Sequence, residues 1–203
     1  MGKYNIIAIE RQFGSGGKRI GILLAEKLGF QFYGEEILQM AARKLNISPE
    51  YVQHLEETAT NIFLYAKIMA ENITEDQPLA DKLFYTESKI INELALTGNC
   101  VVVGRCAGQV LVNQKSCLRI FIHASEDVRI KRAVEEYGIL ENEVHNVLRK
   151  NDRRRSGFYS ARAEKKWTSM DTYDICLNSG ILGIDACVEI IATAAIPHTN
   201  KNF

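Results

Sequence analysis

Five short apolar runs, Ile6–Ile9, Phe30–Tyr33, Cys100–Val103, Leu118–Ile122 and Tyr173–Leu177, recur along the 203 residues, with helical patterning between them. Each run is continuous rather than alternating. Alternation buries one face of a strand; continuity buries both, which requires helices on each side of a parallel sheet. The chain is therefore expected to be α/β, with a five-stranded parallel sheet between two helical layers. After the first run, Ile20, Leu23, Leu24 and Leu28 form one helical stripe, and Gly29 is placed to close it. Ser48-Pro49-Glu50 reads as an N-cap, a proline at the first helical position and an acidic first turn. Ser125-Glu126-Asp127 opens another helix in the same way. Residues 46–97 are helical in pattern and far exceed the usual connection of about two to six residues. They read as an insertion within a single domain spanning 1–203. Such an insertion either covers a substrate or decorates the fold, and the pattern fits both.

Lysine plus arginine number 25, as do aspartate plus glutamate. That balance argues against a dedicated nucleic-acid surface while leaving room for a local basic cluster. Cysteines 100, 106, 117, 176 and 187 form no metal-ligand spacing and fit a reducing cytoplasm. No apolar run reaches membrane-span length, and the N-terminus lacks a signal-peptide layout. Ile6 stands where a myristoylation motif requires Ser or Thr. The expectation is a soluble cytoplasmic protein that binds neither membrane nor nucleic acid and holds no metal through its own ligand cluster.

The first strand runs into Arg11-Gln12-Phe13-Gly14-Ser15-Gly16-Gly17-Lys18-Arg19 and then into a helix. Glycines let backbone N–H groups approach an anion, and a helix N-terminus adds unpaired donors and its positive dipole end. The phosphate-loop pattern GxxxxGK[ST] fails in both registers. With Gly17-Lys18 as the GK pair, Gln12 and Arg19 are wrong; with Gly16 as the last glycine, Gly17 replaces the lysine. GxGxxG fails at Arg19. A tight ligand-free turn is the alternative to an anion site. Three glycines in four residues, trailed by Lys18 and Arg19, favour the anion site.

Two further features seek phosphate. Val101-Val102-Val103-Gly104-Arg105 sets an arginine just past a buried strand, at the carboxyl edge where open parallel sheets bind ligands. A salt bridge to a neighbouring helix is the plainer use of that residue. Residues 149–167 carry Arg149, Lys150, Arg153, Arg154, Arg155, Arg162, Lys165 and Lys166, with Phe158, Tyr159 and Trp167 alongside. Such a run either forms a solvated helix face or closes over a polyphosphate.

On these residues the chain resembles the cytidylate kinase-like family, within the nucleoside monophosphate kinase group of the P-loop fold. The resemblance rests on Arg11 to Gly17, Ala25-Glu26-Lys27-Leu28-Gly29, Val103-Gly104-Arg105-Cys106-Ala107, and Trp167 through Asn178. It implies a three-layer P-loop NTPase fold with a helical insertion and a basic lid at about 149–167. It also implies ATP and Mg²⁺, and a pyrimidine acceptor such as CMP. By the same resemblance Arg11, Gly14, Ser15, Gly16, Gly17, Lys18 and Arg19 bind the donor phosphates. Arg105 holds the acceptor, and Lys18, Arg129, Arg132 and Arg153 neutralise the transferring group. The chain departs from cytidylate kinases where Gly17 replaces the loop lysine, Arg19 the magnesium-binding hydroxyl, Cys106 an aspartate after Gly104-Arg105, and Arg155 the second lid aspartate. These departures keep two other readings in view: a nucleotide-binding or interaction protein without phosphoryl transfer, and a kinase of another small acceptor.

Overall fold

The structure is a computed structural model and describes residues 4–48, 79–163 and 165–196. Its sheet consists of β1 (Ile6–Arg11), β2 (Gln31–Tyr33), β3 (Cys100–Val103), β4 (Cys117–His123) and β5 (Ile175–Asn178). All pairings are parallel, in the order β2-β3-β1-β4-β5. The helices are α1 (Gly17–Leu28), α2 (Glu36–Lys44), α3 (Leu79–Thr97), α4 (Ala107–Val110), α5 (Glu126–Tyr137), α6 (Glu141–Ser160), α7 (Ser179–Leu182) and α8 (Ile184–Ala195). Of the insertion expected over 46–97, α3 lies within the described residues. Residues 49–78, and with them Pro49 and Glu50 of the expected cap, lie outside them.

The continuous strands bury both faces, as the pattern requires. Ile7, Ile9, Val101, Val103, Ile120 and Ile122 meet Ile20 and Leu24 of α1 and Val188 and Ile191 of α8. The alternate residues Ile6, Ala8 and Val102 meet Ile37 of α2, Ile90 and Ile91 of α3, and Leu111. Ile20 and Leu24 are fully buried, so truncating either to alanine costs about 2–5 kcal/mol. Gly29 ends α1 at φ 65°, as its position predicts. β5 starts two residues later than the apolar pattern suggests. Asp174 turns its carboxylate to Arg119, accepting from its backbone N–H and its guanidinium at 2.8 Å, and leaves Tyr173 to pack on Phe121.

Candidate anion-binding site

β1 delivers the chain to the carboxyl edge of the sheet at Arg11, and α1 begins six residues later. Gly14 and Gly16 hold φ of 74° and 77°, backbone that L side chains adopt only with strain. The first capping bond runs from the Ile20 N–H to the Gly16 carbonyl at 2.9 Å. The amides of Gly17, Lys18 and Arg19 therefore stand at the helix N-terminus without intrahelical acceptors. Behind the loop, Ser179 donates to the Ser15 carbonyl at 2.5 Å and accepts from Arg132 Nη1 at 2.9 Å. The loop is thus tied to the start of α7.

From the front, α6 closes on the loop. Asp152 accepts the Phe13 N–H at 2.8 Å and pairs with Arg129 Nη1 at 2.5 Å. Arg129 Nη1 also donates to the Phe13 carbonyl at 3.2 Å. Arg155 donates to the Arg11 carbonyl at 2.9 Å and lies over the Phe13 ring. One loop amide is therefore already engaged by a carboxylate.

Beside the loop lies a cleft with about 530 Å³ of space, part of it open to solvent. Four arginines line it from three elements: Arg11 at the end of β1, Arg105 after β3, and Arg154 and Arg155 on α6. Glu10, Cys106, Phe158 and Tyr159 complete the wall. Gly104 permits the approach, since a Cβ there would overlap the Arg11 guanidinium. The turn that delivers Arg105 is unusual: Gly104, Arg105 and Cys106 have φ of 84°, 61° and 55°. Two consecutive non-glycine residues in the left-handed region cost of order 1–3 kcal/mol each and cluster at ligand sites.

Burial, with like charge from its neighbours, pulls the arginine pKa values down. Arg105 falls to about 10 through burial and then Arg11 and Arg154. Arg155 falls to about 9 through burial and then Arg11. Arg11 is lowered by burial as well. Crowded, desolvated guanidinium groups are held at an electrostatic cost that an entering anion would relieve. Glu87 of α3 comes within 3.3 Å of Arg105 Nη1, outside hydrogen-bonding geometry. Burial pushes its carboxyl up to about 8 against the pull of Arg162. Burial and then Glu10 raise the Cys106 thiol, so it is a packed group and not a reactive one.

The expected site residues divide. Arg11 and Arg105 meet in the cleft. Gly14, Ser15, Gly16 and Gly17 form the loop beside it. Lys18 is exposed on the first turn of α1, 3.7 Å from Glu35, and Arg19 is exposed next to it. Arg129 and Arg132 brace the loop and do not line the cleft. Arg153 faces solvent, while Arg154 and Arg155, which the sequence reading left without a role, line the cleft. Glu10 was also missed, although a carboxylate inside the buried strand Ile6–Arg11 was its signal.

A triphosphate fits the α1 amides and the adjoining arginines. The usual magnesium provision does not. A Cβ at position 17 would lie 2.5 Å from Arg11 Cβ, so Arg11 fills the space a side chain there would need. Arg19 brings no hydroxyl. Ser15 is fully buried and donates to the Gln12 carbonyl at 2.8 Å. Among the described residues no group of three or more His, Cys, Asp or Glu side chains is placed to hold a metal, and no helix is long and apolar enough to cross a membrane.

Residues 6–181 match the cytidylate kinase-like family. No curated protein matches the chain. An uncharacterized protein from Eubacterium ventriosum is similar in structure, with TM-score 0.71 and 26% identity over 93% of this chain and 96% of that one. A shikimate kinase from Bacteroides thetaiotaomicron has TM-score 0.51 and 14% identity over 93% and 96% of the two chains. A shikimate kinase from Acinetobacter baumannii, in complex with shikimate, has TM-score 0.50 and 16% identity over 93% and 90%. The two shikimate kinases show a shared kinase-like α/β fold.

Proposed function

This chain belongs to the cytidylate kinase-like family, and from that premise we propose that it transfers a phosphoryl group from a nucleoside triphosphate to a small anionic acceptor. One observation carries the reading: four guanidinium groups from β1, the β3 turn and α6 converge beside a helix N-terminus with unpaired amides. The donor phosphates lie along the loop from Gly14 to Arg19. The acceptor's anionic group lies among Arg11, Arg105, Arg154 and Arg155. Family likeness makes a pyrimidine nucleoside monophosphate such as CMP the first acceptor to test. In this reading residues 1–203 form one domain, 46–97 cover the acceptor, and 149–167 act as its lid. The approach of Glu87 on α3 to Arg105 supports that role for the insertion. Five free cysteines suit a cytoplasmic setting.

Catalysis in such a site is positioning and charge neutralisation. The cleft arginines draw the acceptor toward the loop, and closure of α6 through Arg155 excludes water. With no hydroxyl placed to hold magnesium at the start of α1, charge neutralisation in this reading falls to the loop amides and the cleft arginines. A second reading keeps nucleotide binding without transfer. It is favoured by Gly17 and Arg19 at the altered loop positions and by Asp152 on the Phe13 amide.

The test is calorimetry with ATP, with and without Mg²⁺, followed by a coupled ADP-release assay with CMP. Arg154→Ala is a cleaner probe than Arg105→Ala, because Arg105 also faces Glu87. Loss of one charged hydrogen bond predicts about a tenfold or greater rise in the acceptor KM without a change in Tm. Unchanged kinetics in Arg154→Ala would overturn the acceptor site. ATP binding with no turnover on any phosphate-bearing acceptor would favour the second reading.

A further inference from the structure

Glu10 is a carboxylate where the cleft is otherwise built for anions. It is 6% exposed, yet it lines the cleft beside the arginines. Trp167 Nε1 donates to Oε2 at 3.2 Å, while Oε1 is buried and without a hydrogen-bond partner. Its neighbours are all donors or cations: the Trp167 N–H, the Cys106 amide, and the Arg11 and Arg155 guanidinium groups. Burial, the largest influence, raises its pKa, while Arg11, the Trp167 N–H, Arg155 and the Cys106 amide pull toward the ionised form.

None of the nearby arginines hydrogen-bonds Oε1. Arg155 donates to the Arg11 carbonyl, Arg105 faces Glu87, and the Arg11 side chain is wedged against Gly17 and Gly104. Oε1 is therefore an unpartnered acceptor in a cleft whose other charged groups are all guanidinium. A bare anion filling this space has no proton to give and would leave that oxygen unpartnered. A ligand that presents its own N–H or O–H at this end would satisfy it instead.

Resting on the anion-cleft reading above, we propose that Glu10 selects the acceptor. The acceptor carries a hydroxyl or amino donor that bonds to Oε1 while its anionic group is held by Arg11, Arg105, Arg154 and Arg155. Glu10 thereby favours a phosphorylated sugar, polyol or aminated base over inorganic phosphate or a plain alkyl phosphate.

Trp167 is the sole tryptophan and touches Glu10, so its emission reports binding without turnover. Wild type is titrated with propyl phosphate, ribose 5-phosphate, CMP and UMP, followed by calorimetry on the same samples. Donor-bearing ligands are expected to bind wild type about tenfold or more tightly than propyl phosphate. Glu10→Gln, whose amide oxygen still serves Trp167, is expected to lose most of that preference and to bind propyl phosphate at least as well as wild type. Equal gains for ribose 5-phosphate and CMP assign the donor to a sugar hydroxyl. A gain confined to CMP, with UMP weak, assigns it to the base amine. Wild-type affinity that is equal for propyl phosphate, ribose 5-phosphate and CMP overturns the proposal even if Glu10→Gln does not fold. A folded Glu10→Gln that keeps the full preference overturns it as well. Failure of the cleft itself reads differently: propyl phosphate then binds neither protein, and Arg154→Ala changes nothing.

Discussion

Asp152→Ala tests whether α6 is held on the loop by one buried charge pair. Arg129 is 9% exposed, and the Asp152 side chain is 21% exposed. Removing the carboxylate strands the Arg129 guanidinium and the Phe13 N–H together. Breaking a fully buried pair costs about 3–5 kcal/mol. Asp152 sits near the surface, so water enters after truncation and reduces the loss to about 2–3 kcal/mol. For a chain of 203 residues, each kcal/mol shifts Tm by about 2–4 °C, which predicts a fall of about 4–12 °C. Arg129→Met is expected to cost less, because Asp152 can rehydrate where it stands. The double variant should recover at least about 1 kcal/mol relative to the sum of the singles. Thermal and urea denaturation of the four proteins measure this cycle. Additivity within about 0.5 kcal/mol would refute the pair as the clasp between α6 and the loop.

Glu87→Gln tests the buried carboxyl on α3. The folded protein keeps this proton up to about pH 8, whereas the unfolded chain releases it near the ordinary carboxylate value of about 4.3. Folding then takes up a proton between those values, so wild type loses stability as pH rises across the window. The variant should gain on wild type from about pH 5 to about pH 8 and run parallel above it; parallel urea midpoints throughout would show that Glu87 is ionised in the fold. Gly14→Ala should cost about 1–3 kcal/mol for its φ of 74°, and more because its Cβ would lie 2.7 Å from the Arg129 carbonyl, which is backbone and cannot swing aside. Gly29→Ala, at φ 65° with nothing within 4 Å, should show the backbone cost alone, so equal Tm losses would refute the loop contact.

The sheet was legible because burying both faces leaves an unmistakable trace: every apolar run became a strand within two residues of its expected limits. The loop was legible in kind, since glycine spacing reports backbone conformation directly. What sequence reading missed was the path of side chains between elements. Gly17 reads as a lost lysine, yet in the fold it makes room for Arg11. Arg153 was chosen over its neighbours, but the inward stripe of α6 runs through Val144, Leu148, Asp152, Arg155 and Tyr159, and position 153 falls outside it. That helical phase was available in the sequence. Arg129 and Arg132 looked like free cations, and only tertiary contacts reveal Asp152 and Ser179 as their partners.

The three left-handed residues after β3 bear on how this protein can evolve. At Arg105 and Cys106, valine, isoleucine and threonine are barred by φ alone, while glycine and asparagine would keep the turn but give up the guanidinium. Drift at Arg105 therefore leads to a broken turn or a lost guanidinium, so this corner of the cleft is a fixed anvil. New ligand preferences must arise from α6 and α3, where helical positions accept most residues. A saturation library would then show adaptive variants clustering on those two helices, with the β3 turn silent.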